Sequence, residues 1–308
     1  MDLRQLNALL AVADHGSFSA AARALHTVQS NVSTHVARLE RELDATLIDR
    51  ATGSLTEQGT VVAERARRIH AELEALTADV ASLNAEVAGT VHLGCIGTTA
   101  RWLVPPLVER MRADHPRVRL VVIDATTSSL LPQLESGRLE LAVVNEPVDD
   151  PDVEVDRLFD EDTVLVAPAG HGLHDRHHLG LADLDDEPLL LEPPGTTFRD
   201  NLDEQATVAG IRLVAQAEVD GMRLLASLAF QGFGAALLPA SAAPAWIGGA
   251  WRAIPVAGLD GRTVGIARRR KGLLSAPARA LREAVVAVVV AEAPGQTGVR
   301  AASTPAPA

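Results

Sequence analysis

The stretch LRQLNALLAVADHGSFSAAARALHTVQSNVSTHVARLEREL, residues 3–43, decides the fold of the N-terminal region. Leu3, Leu6, Leu9, Leu10 and Ala13 recur at helical spacing and give one apolar face. His15-Gly16 breaks that helix, and Ser17 is a good N-cap for a second one over residues 18–25. A three-residue link, His26-Thr27-Val28, leads into a third helix over residues 29–43, with Val32, Val36, Leu39 and Leu43 on its buried stripe. Two short helices joined by so tight a turn are a helix-turn-helix candidate. Residues 51–56 then read as a small turn or wing, closing a first domain at residues 1–60.

Beyond it the period changes. Val62, Ala66, Ile69, Leu73, Leu76, Val80, Leu83 and Val87 alternate in steps of four and three, the a/d seam of a coiled coil. Such a helix alone would leave an apolar stripe in water, so residues 61–88 predict a linker that pairs with a second copy; packing on its own domain is the competing reading. Ala88-Gly89-Thr90 ends the helix. Strands then alternate with helices to residue 293, which predicts an α/β fold with parallel sheets covered on both faces. The tail, residues 294–308, is rich in Pro, Ala, Ser and Thr and predicts disorder.

Composition sets bounds on function. The chain has 308 residues, 47% hydrophobic and 22% charged, which suits a globular protein of two domains. A formal net charge of -12 argues against a nonspecific polyanion binder. Residues 1–60 carry only Arg4, Arg23, Arg38, Arg41 and Arg50 as cations, so DNA binding calls for paired half-sites. One cysteine, Cys95, excludes an internal disulfide and fits a reducing cytosol. No signal peptide and no membrane-spanning run are evident, which places the protein in the cytoplasm.

The opening Asp2-Leu3-Arg4-Gln5-Leu6, then Gly16-Ser17-Phe18, Ala21-Ala22, Leu25, Gln29, Ser33, Leu39-Glu40, Leu47, Arg50, Leu55-Thr56 and Gly59 follow one another in a distinctive order. So do Gly94, Gly97, Leu103-Val104-Pro105, His115-Pro116-Arg117-Val118, the run from Ser136 to Leu141, Gly232-Phe233-Gly234 and Leu237-Leu238-Pro239. In these motifs, over residues 1–293, the chain resembles the LysR-type transcriptional regulators. The resemblance implies an all-α winged helix-turn-helix, a long linker helix, and a C-terminal effector domain of two α/β lobes like periplasmic binding proteins. It places lobe I at about 89–163 plus 264–293 and lobe II at about 164–263. It implies a homodimer, with tetramers common, acting on double-stranded promoter DNA. The chain departs from the family at Val28, Thr34, Asp44 and Ile48, and its wing is short.

On the helix from Gln29, the face opposite the buried stripe carries Gln29, Ser30, Ser33, Thr34 and Ala37. Gln29 can pair bidentately with adenine, and the hydroxyls can serve bases or phosphates. Arg38 and Arg50 are the expected phosphate contacts, with Ser17 adding a backbone N–H at a helix start. Solvated surface and ordinary capping are the competing readings.

For the effector, Thr98-Thr99 and Thr126-Thr127-Ser128 lie between strand ends and helix starts, where ligands bind in open parallel sheets. The Thr196-Thr197-Phe198 turn offers the same chemistry from the second lobe. Thr98, Thr99, Thr127, Ser128, Thr196, Thr197 and Phe198 are thus the candidate effector ligands, and hydroxyls at helix N-termini favour a small anion. Arg101 and Arg199 could add counter-charge, though surface arginine is the commoner explanation. The family spacing singles out Thr98 and Thr127.

His171, His174, His177 and His178 crowd one loop but lack a cysteine partner, and no cofactor or metal is expected. Arg268-Arg269-Arg270-Lys271 reads as a solvated turn, and Cys95 as a buried thiol. Ser241, His115 and the scattered acids form no catalytic spacing, so no enzyme activity is expected. The rival to a regulator is an α/β binding protein or enzyme sharing only the lobes.

Overall fold

The computed structural model describes residues 1–82, 86–244 and 246–302. Three helices open the chain: α1 (Leu3–His15), α2 (Phe18–Ala24) and α3 (Gln29–Leu43). Asp2 and Gln5 cap α1 reciprocally, each side chain accepting the other's backbone N–H at 2.9 and 2.8 Å. Gly16 ends the helix with φ of 70°, a conformation that strains other residues. Ser17 Oγ then accepts from Ala20 N to start α2. Leu6, Leu9, Val12, Ala21, Val32, Val36 and Leu39 close the small core.

The wing is real but minimal, a single antiparallel bridge from Ile48 to Leu55. Glu40 holds its entry, its Oε1 accepting from Leu47 N at 2.9 Å and Ile48 N at 3.3 Å. The linker helix α4 (Glu57–Ser82) follows directly. Gly59 is required in its first turn, because a Cβ there would lie 1.9 Å from the Leu47 carbonyl oxygen. Of the expected seam, Leu83 lies outside the described residues, and Val87 falls in a non-helical segment rather than on the helix.

Among the described residues, two six-stranded sheets form the lobes. The strands and helices of the first lobe are β1 (Gly89–Cys95), α5 (Gly97–Asp114), β2 (Val118–Asp124), α6 (Thr127–Glu135), β3 (Leu141–Asn145) and β4 (Val153–Glu161). The chain then crosses at Asp162 into β5 (Thr163–Pro168), β6 (Leu179–Gly180), β7 (Pro188–Leu191), α7 (Thr197–Ala209), β8 (Val214–Glu218), α8 (Met222–Phe230), β9 (Ala235–Pro239) and β10 (Trp251–Ala257). It returns through residues 258–261 to β11 (Arg262–Arg269), α9 (Ala276–Glu292) and β12 (Val299–Ala301). Strand orders are β12-β4-β11-β3-β1-β2 and β6-β10-β5-β9-β7-β8.

The sheets are mixed, not parallel as the helix–strand alternation suggests. β1, β2 and β3 run parallel, but β11 is antiparallel to both β3 and β4. In lobe II, β5 is antiparallel to β9 and β10. The two crossings cause this: each feeds a strand into a sheet without the intervening helix that a parallel neighbour needs. The tail also departs from expectation. Residues 299–301 form an edge strand on β4, and Val299 is buried, so lobe I includes them; residues 303–308 lie outside the described residues. Backbone pairing to a free sheet edge is available to any composition, which is why the tail's polar sequence gave no sign of it.

Candidate functional site

On the reading head, Val32, Val36 and Leu39 bury one side of α3. Gln29, Ser30, Thr34 and Arg38 are exposed on it, and Ser33 is half-buried. Several are engaged within the chain. Ser19 Oγ donates to Gln29 Oε1 at 3.0 Å, and Thr34 Oγ1 donates to the Ser30 carbonyl at 2.7 Å. Arg50 donates to Glu40 Oε2 at 2.7 Å and to Ser33 Oγ at 3.4 Å, and its guanidinium lies 4.9 Å from the centre of the Phe18 ring. Glu40, which no local pattern marks as functional, thereby holds the wing entry and half-neutralises the arginine expected at a phosphate. Ser17 spends its hydroxyl as the α2 cap, leaving its backbone N–H for other partners.

The N-terminus of α5 lies against lobe II, where a Cβ on Gly97 would stand 3.2 Å from Arg223 Nε of α8; that of α6 abuts the end of β3. Thr98 is buried, and its Oγ1 accepts from Arg262 Nη2 at 2.6 Å. Thr127 Oγ1 accepts from Asn145 N at 3.0 Å. In both, an N–H donor occupies an oxygen lone pair and leaves the hydroxyl its proton to give. Thr99 is fully buried and its hydroxyl has no hydrogen-bond partner among the described residues, and Ser128 shares a hydrogen bond with Thr126. From lobe II, Thr196 caps α7, accepting from Arg199 N and donating to the Pro193 carbonyl. Thr197 is exposed and Phe198 packs half-buried against the lobe II core.

Arg262 and Glu161 are the residues that sequence reasoning missed. Glu161 is fully buried at the end of β4, and Arg262 opens β11; Arg262 Nε donates to Glu161 Oε1 at 2.7 Å. Glu161 Oε2 accepts from Ser241 N of lobe II at 2.7 Å. A chain of charge-assisted bonds thus runs from Thr98 through both crossings into lobe II. Only the fold brings these residues together, since Thr98 and Arg262 lie 164 positions apart. Asp124, at the end of β2, pairs with Arg223 of α8 and bridges the lobes again. Arg101 donates to the Ala242 carbonyl at 3.3 Å; burial and the nearby Arg223 hold its pKa below the ordinary value. Arg199 is buried rather than on the surface, tied to Asp203, Glu218 and the Glu192 carbonyl. Burial, with Asp220 nearby, raises the Glu192 carboxyl above its usual range.

Other residues fall elsewhere. The loop histidines have separate partners: His171 faces Glu187, His174 the Ala167 carbonyl and His177 Arg252. Among the described residues no group of three or more His, Cys, Asp or Glu is placed to hold a metal. The basic run is not a solvated turn throughout, because Arg269 is desolvated against α4 and bonds the Leu134 carbonyl. No helix among the described residues is long and apolar enough to cross a membrane.

The model of the bacterial regulatory helix-turn-helix protein, lysR family, matches residues 3–60, and that of the LysR substrate binding domain matches residues 84–289. The chain belongs to the LysR family of bacterial transcription regulators. It is a DNA-binding regulator rather than an enzyme. This LysR-family regulator is 36% identical over 245 residues to a probable hydrogen peroxide-inducible genes activator of Streptomyces viridosporus, covering 78% of each chain. It is 30% identical over 249 residues to the DNA-binding transcriptional dual regulator OxyR of Escherichia coli, covering 79% of this chain and 81% of that one. Its structure resembles that of a full-length OxyR variant from Pseudomonas aeruginosa with a TM-score of 0.75 and 26% identity, over 96% of this chain and 98% of the other.

Proposed function

We propose that this LysR-family regulator works in the cytoplasm as a homodimer through α4, reads promoter DNA with α3, and answers a small acceptor-bearing molecule, an anion such as a carboxylate, held between its lobes. The observation that carries the effector class is the state of Thr98 and Thr127. Both hydroxyl oxygens already accept an N–H, so both offer a donor, which favours carboxylate-like oxygen over ammonium. The relatives' names favour a second reading, response to hydrogen peroxide. Peroxide chemistry at cysteine requires an accessible thiolate. The one cysteine of this chain, Cys95, is fully buried on β1, and burial together with Asp124 pushes its thiol pKa up. Its position supports a structural thiol, so the acceptor-bearing ligand is the stronger reading.

A thermal-shift screen of small carboxylates, amines and neutral isosteres should find its hits among the carboxylates. Each donor to a charged oxygen is worth about 1.5–3 kcal/mol, so Thr98→Ala or Thr127→Ala should raise the calorimetric Kd about tenfold or more. Unchanged affinity in both variants, or a DNA-binding response to peroxide that survives in wild type and is lost in Cys95→Ala, would refute the reading. On the DNA side, Gln29→Ala should cost about 1–3 kcal/mol of discrimination per half-site. Arg50→Ala should weaken cognate and random duplexes alike. Equal loss on both duplexes for Gln29→Ala would move that residue to the backbone.

A further inference from the structure

We infer that the turn following α6 is a latch that ties the effector lobe to the reading head. α6 is nine residues long, about 14 Å at the rise of an α-helix. Three contacts join its far end to α4 and β11. Arg68 Nε of α4 donates to the Glu135 carbonyl at 2.6 Å, and Arg269 Nη1 of β11 donates to the Leu134 carbonyl at 3.2 Å. Gly137, with φ of 78°, lies so close to α4 that a Cβ would stand 3.6 Å from both Ala71 Cβ and Arg68 Cα. The next residue reaches further. Arg138 Nη2 donates to Asp14 Oδ1 at 2.9 Å, and the same oxygen accepts from Arg67 Nη2 of α4 at 2.7 Å.

One carboxylate therefore joins the first helix of the reading head, the linker helix and lobe I. Asp14 stands two residues before Gly16, and the wing tip packs there: a Cβ on Gly53 would lie 2.7 Å from the Gly16 carbonyl oxygen. The latch thus grips the head beside its wing and the start of α2. Asp14 and Arg138 are both exposed, and a pair of that kind contributes little to static stability and is screened by salt. Weakness suits a contact that must open. α6 is one short helix, so a displacement of its first turn would carry Arg138 with it. That coupling rests on the effector lying at Thr127; the latch itself does not.

The test uses the full chain with Ala51→Cys on the wing and Asp149→Cys on lobe I, labelled with a donor and an acceptor dye; buried Cys95 stays unlabelled. Labelled chain is diluted into excess unlabelled chain, and the head-to-lobe distance distribution is read by single-molecule fluorescence transfer. Wild type gives one narrow distribution. Arg138→Ala and Asp14→Ala each widen it about twofold, as a contact of low local stability should when cut. Raising salt from about 0.05 to 0.5 M widens the wild-type distribution in the same direction. The full exchange, Asp14→Arg with Arg67→Asp and Arg138→Asp, restores the narrow form, because Arg67 shares the Asp14 carboxylate. Circular dichroism melts of the single variants stay at the wild-type temperature, separating an open latch from a misfolded head. Unchanged width in both single variants overturns the latch, as does a full exchange that stays wide. Thr127→Ala leaves the width unchanged without ligand, so failure of the effector reading and failure of the latch are read separately.

Discussion

The two lobes share an architecture but not a set of attachments. Lobe I is held along the linker helix: Asp79 Oδ1 accepts from Ala276 N at 2.8 Å, Arg269 faces Glu72, and Arg68 bonds the Glu135 carbonyl. Lobe II is joined to the rest through the two crossings, the Glu161–Arg262 pair, and the bridges from Ser241, Ala242 and Arg223 to lobe I. One lobe is anchored to the parts that bind DNA, and the other hangs from the first. A ligand between them would therefore find its movable wall on the lobe II side, and any strain it creates would act on lobe I, where α6 meets α4. The difference assigns the lobes different tasks despite their common build.

The linker helix carries the largest expected effect, because its two faces differ as the lobes do. One face grips lobe I, while Ile69, Leu73, Leu76 and Val80 remain exposed at 41%, 38%, 62% and 56%. An apolar side chain contributes about 1.5–3 kcal/mol when fully buried, so four of them on each of two helices supply enough for a stable pair. Leu73→Glu combined with Leu76→Glu should convert the proposed dimer to monomer in sedimentation. A double variant that sediments like wild type would rule this face out as the dimer contact.

Next in size is the junction between the lobes. Glu161→Ala strips Arg262 of its carboxylate and Ser241 N of its acceptor in a buried site, at a cost of about 3 kcal/mol. For a domain of this size the melting temperature should fall by about 6–12 °C. The neighbouring Asp162 pairs with Arg300 at the surface, and Asp162→Ala should cost under about 1 kcal/mol. If calorimetry finds the two variants equally stable, the crossings do not depend on the buried pair.

Legibility followed locality. The three N-terminal helices and the Ser17 cap are written in neighbouring residues, so periodicity and capping chemistry recovered them. β4 and β10 are hard to see in the sequence, because Val153–Glu161 and Trp251–Ala257 alternate imperfectly and owe their place to antiparallel partners far away in sequence. β12 escaped because an edge strand asks only for backbone. At the candidate site, Thr98 and Thr127 could be named from strand–turn–helix grammar. Arg262, Glu161 and Arg138 could not, since each gains its meaning from a partner at least 100 positions away.

The smallest effect concerns how firmly lobe I sits on the linker. His92 of β1 lines a cavity of about 670 Å³ between α4 and lobe I, together with Glu74, Glu140 and Arg269. Its ring stands 3.4 Å from Glu140, whose carboxylate also accepts from His92 N. Glu140, opposed by burial and by Arg119 and aided by Glu74, raises the imidazole pKa above 6.5. A group raised in the folded state stabilises fully below its unfolded pKa, and that contribution fades as pH rises through the folded value. Wild type should therefore lose stability from pH 6.5 upward by an amount that His92→Gln does not. The pair is half-exposed, which limits the contribution to about 0.5 kcal/mol, or about 1–2 °C in melting temperature. Scanning calorimetry of both proteins on either side of the transition isolates the charge, because the backbone bond from residue 92 to Glu140 persists in the variant. Parallel pH profiles would show that lobe I sits on α4 without help from this histidine, leaving Asp79, Arg68 and Arg269 to hold it.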